Sequence, residues 1–374
     1  MRKIILATIM CLLLFTACGA KDALPGSDSD NGQINNQQEQ DTNNSQEPDN
    51  NSRSEESEEK LEDYFPMAGN VHMVYRGEGN EYAEYETYVD YVKDGVMQVR
   101  NINPGTVSVK VYKLSEGELK EVFAHGEIYY RHDYTSSVNR DEILIKEPIK
   151  EGTSWLLADG STRSITGVNK GIKTPAGDFE ALEITTDMEN SVIKDYYVKG
   201  IGLVKTEYND KNGEYTVISE LEKIEKDVPF KQIIRFYYPD FLKDRIVYID
   251  KEFQLETNKD ILPLLEEQLK SVPENSELTR VLTPNVKIQG CQIDEEKNIM
   301  TVDFTSDLVN EMNAGAGLEL MILKSITNTI GEYYQKDKVA ITLDGKLYES
   351  GHILLKSGEY FRVDTEGITE YGEQ

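Results

Sequence analysis

The amino-acid sequence predicts an α+β protein: an N-terminal all-β antiparallel domain, then a small α+β domain with two helices packed on one face of a small sheet. Two observations carry this. Between residues 64 and 226, short alternating segments recur about every ten residues, punctuated by the turn pairs Asp94-Gly95, Asp159-Gly160 and Asn212-Gly213. Asn-Gly and Asp-Gly suit the positive φ angles of tight hairpins, and no stretch there carries helical caps. Between 230 and 365, apolar residues instead fall at helical spacing. Leu262, Leu265, Leu269 and Val272 form one stripe, and Leu318, Ile322, Ile326, Ile330 and Tyr333 another.

The elements follow in order. In the first unit, Tyr82 to Tyr91 alternates, although its period shifts along the run, and an antiparallel sheet, curved or closed, is expected. Gly200 and Gly202 lack the third glycine and following helix of a nucleotide loop, so a turn between strands is expected. A charged run closed by Pro229 sets the boundary. In the second unit, 233–238 and 245–250 read as strands. A helix starts at Asp260, with Pro263 tolerated in its first turn, and Pro273 stops it. Strands at 286–293 and 299–304, a helix at 317–334 and a strand at 339–343 complete the unit, and residues 366–374 read as a tail. Glu319, early in the long helix, is expected to favour the helix dipole and to tolerate neutralisation at well under about 1 kcal/mol.

The N-terminus has a different composition. Arg2 and Lys3 precede an uninterrupted apolar run from Ile4 to Phe15, too short to span a bilayer, followed by Thr16, Ala17 and Cys18. This resembles the bacterial lipobox, which implies removal of residues 1–17 and a diacylglycerol on Cys18. Two acyl chains suffice for stable anchoring at the extracytoplasmic face of a membrane. Residues 18–63 then read as a disordered acidic and Asn/Gln-rich tether, with a mean reach of about 35 Å for a coil of that length.

Charge and motif content narrow the function. The chain carries 68 acidic and 40 basic residues, a formal charge of −28, which argues against nucleic acid as a partner. With Cys11 and Cys18 assigned to the signal and the lipid, Cys291 has no disulfide partner and reads as a small residue packed in a strand. The four histidines, His72, His125, His132 and His352, include no pair four residues apart. There is no HExxH and no GxSxG. No catalytic residue, metal ligand or cofactor is expected.

One resemblance covers nearly all of the second unit. Phe236-Tyr237-Tyr238-Pro239, the helical run from Leu264 to Leu269, and Thr301-Val302-Asp303-Phe304 occur in order. They are followed by Gly317, Glu319, Asn328 and Thr329, then by Asp344-Gly345 and Gly351-His352. Together they resemble the GerMN domain of sporulation and spore-germination proteins. Val272-Pro273 stands where that family often has Gly-Pro. The resemblance marks Asp303, Phe304, Gly317, Glu319, Asn328, Asp344, Gly345 and His352 as structural or interaction positions. From the residues themselves, Asp303 is expected to bond backbone, Asp344 to build a type I′ turn, and His352 to serve a turn or cap. The resemblance implies a non-enzymatic assembly module with an envelope protein or another copy of the chain as partner. The alternative is a carrier or sensor holding a lipid or other apolar ligand in the curved β-rich unit.

Overall fold

In a computed structural model, residues 59–372 are described. The signal 1–17, Cys18 and most of the tether lie outside them. The N-terminal part is a single antiparallel sheet of 12 strands. These are β1 (Val71–Glu78), β2 (Tyr85–Lys93), β3 (Val96–Ile102), β4 (Val107–Ser115), β5 (Glu118–His125) and β6 (Glu142–Lys146), then β7 (Ser154–Leu156), β8 (Thr162–Thr174), β9 (Gly177–Asp187), β10 (Ser191–Val198), β11 (Gly202–Asp210) and β12 (Thr216–Lys226).

Each strand pairs with its sequence neighbour, except that β1 pairs with β12 and β6 does not pair with β7. The sheet is therefore nearly closed, with one seam. Side chains bridge it: Trp155 Nε1 and Arg163 Nη1 both donate to the Ile143 carbonyl, at 3.0 and 2.7 Å. Arg163 Nη2 also reaches Glu142, at 2.9 Å. The β2–β3 hairpin turns at Asp94 and Gly95, with φ of 43° and 76°, the left-handed pair that a two-residue hairpin demands. The shifting period of 82–91 has two causes. Residues 82–84 precede β2, and the β2–β3 register slips between Val89 and Tyr91, which exchanges the inward and outward faces.

The C-terminal part follows through β13 (Phe230–Asp240) and β14 (Arg245–Leu255), α2 (Leu262–Leu269), β15 (Ile288–Asp294), β16 (Ile299–Phe304), a short α3 (Asp307–Asn310), α4 (Ala316–Tyr333) and β17 (Lys338–Leu343). A four-residue helix, α1 (Leu61–Tyr64), precedes the large sheet. Strands β16 and β17 are parallel, and the crossover they need is supplied by α3 and α4. Leu265, Leu269, Ile326 and Ile330 are fully buried in one core with Phe236, Phe304 and Ile341.

The fold class differs from expectation. Strands account for 48% of the described residues and helix for 12%, so the described part is mostly β rather than a balanced α+β. The nearly closed sheet needs no helical layer, because its own curvature brings its inner side chains together. Both helices do pack against the β15–β17 sheet, α2 at β15 and α4 at β17. Strands β13 and β14 form one sheet and β15–β17 another, and α4 packs against strands of both. Thr369–Glu370, in the expected tail, adds a short parallel strand to β14. No described helix is long and apolar enough to cross a membrane.

A buried polar cluster joins the large sheet to the C-terminal part. Asp90, Arg100 and Arg131 are fully buried. Arg100 pairs with Asp90 at 2.8 Å and donates to the carbonyls of Ile128 and Tyr130. Arg131 donates to the carbonyls of Asp90, Leu255 and Glu256, the last two just beyond or at the end of β14. Thr257 and Asn70 exchange hydrogen bonds at 2.7 Å across the same junction.

Candidate functional site

The motif positions of the C-terminal part gather into three clamps. Asp303, half-buried on β16, accepts from Thr342 Oγ1 at 2.6 Å and from the Gly345 amide at 2.9 Å. Asp344 and Gly345 have φ of 49° and 77°, the two left-handed residues of a type I′ turn, and Asp344 accepts from Gln289 and from the Ser306 amide. Phe304, next to Asp303 in sequence, is fully buried and anchors β16 in the core, and its carbonyl accepts from the Asp344 amide. The second clamp is Asn328, also fully buried, whose amide bonds the backbone of Asp364 in both directions, at 2.7 and 2.9 Å.

The third clamp corrects the expectation for Glu319. Its side chain is buried, not spread along the helix surface. It accepts from Tyr348 at 2.8 Å and pairs with His352 Nδ1 at 2.6 Å. Burial pushes the carboxyl up, but hydrogen bonds from Ser350, His352 and Tyr348 outweigh this and hold it below its ordinary value. His352 is about half exposed, and its amide bonds Ser350 Oγ in a local turn. Gly317 is exposed in the first turn of α4, and a Cβ there would meet nothing within 4 Å. Cys291 is half-buried on β15, its thiol 3.6 Å from the Tyr334 hydroxyl, and burial pushes it up. Among the described residues, no cluster of histidine, cysteine and carboxylate side chains has metal-binding geometry.

The large sheet holds a second site. Inside it lies a cavity of about 200 Å³. Alternate residues of adjacent strands line it: Val71, Met73 and Tyr75 of β1, Tyr85, Thr87 and Val89 of β2, and Met97, Val99 and Asn101 of β3. This is the period-two face that a strand presents to one side of a sheet. Tyr112, Tyr197 and Leu203 extend the wall, and Phe65 and Pro66, just after α1, cover part of it. The ionised lining side chains are Lys110 and Lys226. Lys110 lies 3.3 Å from Glu121, which also pairs with Arg140. Burial raises the hydroxyls of Tyr85, Tyr112 and Tyr197, with the nearby Asp195 carboxylate adding to it, so all three stay protonated donors at neutral pH.

A family model described as sporulation and spore germination matches residues 235–349. This segment is a GerMN-type domain. A model described as DUF3108-like matches residues 153–221, within the large sheet. Among solved structures, the tandem GerMN domains of the sporulation protein GerM from Bacillus subtilis share 19% identity, over 37% of this chain and 47% of that one, with a TM-score of 0.28. The chain thus spans about half the length of that structure. A lipoprotein candidate from Parabacteroides distasonis ATCC 8503 shares 17% identity over 43% of this chain and 98% of its own, with a TM-score of 0.27. An exported-protein candidate with a YmcC-like fold from Bacteroides fragilis NCTC 9343 shares 15% over 44% and 99%, also at 0.27. No curated protein matches.

Within the GerMN segment, the structure brings Asp303 to Gly345 and Glu319 to His352, while Gly317 and Asn328 stand apart from both pairs. Sequence reasoning missed Tyr348 and Asp364, the partners that complete two of the clamps. It also missed the cavity lining. A signal for the lining was present: the apolar residues at 71, 73 and 75 and the tyrosines among the chain's 22 recur at strand spacing.

Proposed function

We propose that this chain is a non-enzymatic, membrane-anchored protein of the cell envelope, held at the extracytoplasmic face through a lipid on Cys18. Its GerMN segment works as an interaction module in sporulation or spore germination. The observation that carries this reading is how the motif side chains of the GerMN segment are used. Asp303, Glu319 and Asn328 are each engaged in fixing a turn, a hairpin or a backbone segment of the same domain. Residues so engaged shape a rigid surface rather than a reaction centre. The C-terminal part leaves Leu320 of this segment exposed, with Ile233 and Leu354 just outside its ends, apolar groups of the kind that partner contacts bury. The partner is an envelope protein or a second copy of this chain.

Crosslinking in intact cells, followed by purification of the chain from membranes, tests the reading. A discrete crosslinked species that is lost on Leu320→Asp and Leu354→Asp supports it. A chain recovered uncrosslinked from membranes at every stage of growth and sporulation counts against the interaction role. Cys18→Ala tests the anchor: fatty-acid labelling should mark wild type alone, and equal labelling of the variant removes the anchor from the proposal.

A further inference from the structure

The cavity of the large sheet has a mouth, and its chemistry selects an occupant. Of the residues lining it, Ala68, Gly200 and Lys226 are exposed, so they mark where the cavity meets solvent. Deeper in, the wall is methyl groups and aromatic rings, with Thr87 and Asn101 as neutral polar groups. A cavity lined by apolar groups stays dry unless an apolar group fills it, and about 150 Å³ already admits a benzene ring. The space here is about 200 Å³ and is continuous with the mouth.

Charge sets the head group. On a chain of formal charge −28, the ionised side chains lining this cavity are both lysines. Lys226 and Lys110 bracket one level of the sheet: Val71 lies opposite Lys226, Val89 opposite Val99, and Val99 opposite Lys110. Lys110 already has Glu121 as a partner. Lys226 sits at the mouth and, among the described residues, is in no ion pair, while the neighbouring Glu225 pairs with Lys223.

We propose that this cavity binds a single-chain anionic amphiphile, its acyl chain against the valine and tyrosine wall and its acidic head, carboxylate or phosphate, at Lys226. The apolar wall supplies affinity without regard to head group. Lys226 supplies the preference for an anion at the one place where the head meets water. This ligand is independent of the interaction role of the GerMN segment, because the lining residues belong to the large sheet and the segment leading into it.

Four probes with the same eight-carbon tail, about the length that a space of 200 Å³ can hold, separate the contributions: octanoate, octyl phosphate, octanol and octylamine. They are titrated below their aggregation limits into the processed chain carrying Cys18→Ser, so that no anchor lipid competes. Displacement of an environment-sensitive fluorescent fatty acid reads the binding. We expect saturable one-to-one binding of both anions, about tenfold tighter than octanol, and no binding of the amine at the same concentrations. Lys226→Glu, an exposed change that leaves the thermal transition in place, should weaken both anions about tenfold and leave octanol unchanged. Absence of saturable binding by either anion overturns the proposal. So does an amine that binds as tightly as the acid, or a Lys226→Glu chain that keeps full affinity for the anions.

Discussion

The large sheet and the GerMN segment solve one problem in opposite ways. Both must cover the concave side of strands rich in apolar residues. The GerMN segment does it with α4, whose Ile322, Leu323, Ile326 and Ile330 are buried between its sheets. The large sheet has only α1 and the short stretch after it, and it curves until opposite walls meet. A helix fills a space; curvature encloses one. The first arrangement leaves a packed interior, and the second leaves room for another molecule. The large sheet therefore carries both a packed core, around Leu119, Ile145 and Leu182, and a cavity beside it.

The comparison breaks most sharply where α4 is packed. Ile326→Asp places a charge in a fully buried site with no partner, and a loss above about 4 kcal/mol is expected, read by calorimetric unfolding. We propose that 64–226 and 230–374 are separate folding units. The loss should then fall on the transition of the second alone. Arg100→Ala sharpens the same point from the other side. Removing it leaves Asp90 buried without its closest ion-pair partner, which costs about 3–5 kcal/mol, and the transition of the large sheet should carry the loss. A single transition that moves as one for both variants would show instead that the cluster at Asp90 and Arg131 fuses the two regions.

A smaller effect is expected at Glu319→Gln. It weakens the bonds to Tyr348 and His352 and should cost about 1–3 kcal/mol at neutral pH, more than its place near a helix N-terminus suggests. Its folded-state carboxyl lies below the ordinary value of 4.5, so the stability it contributes is complete above that value. That stability is lost as pH falls through the folded value. The gap between wild type and Glu319→Gln should therefore narrow in acid, and urea titrations at pH 7 and pH 3 check it. Gly317→Ala should have the smallest effect, a gain of about 0.5 kcal/mol, because the site is open and the backbone is already helical. A loss there would mean that a contact surface depends on the missing side chain.

The GerMN segment was legible because its elements are written in local periods. The helix expected at 317–334 is α4 at Ala316–Tyr333, and the strand expected at 299–304 is β16. Asp344-Gly345 states its turn in two residues. The burial of Glu319 was not legible, because it depends on Tyr348 and His352 about thirty residues away. The cavity was hidden for a related reason. Which face of a strand points inward changes at a slip of register, on β2 between Val89 and Tyr91 and on β12 at Glu222, the extra residue opposite Val74 and Tyr75, and no local pattern announces a slip. The balance of the fold class was misjudged because the helical stripes are conspicuous, whereas the strands that outweigh them are short and irregular in period.

The seam of the large sheet bears on how the protein survives at high local concentration. An unclosed antiparallel sheet offers two free edges, each a template on which a neighbouring chain can add a strand and begin a fibril. Here β7 is three residues long, and the Ile143 carbonyl on β6 is already taken by Trp155 and Arg163. Under the proposed lipid anchor, copies of this chain held in a membrane plane would meet far more often than in dilute solution. Two side chains laid across one carbonyl leave that edge little to offer a colliding strand.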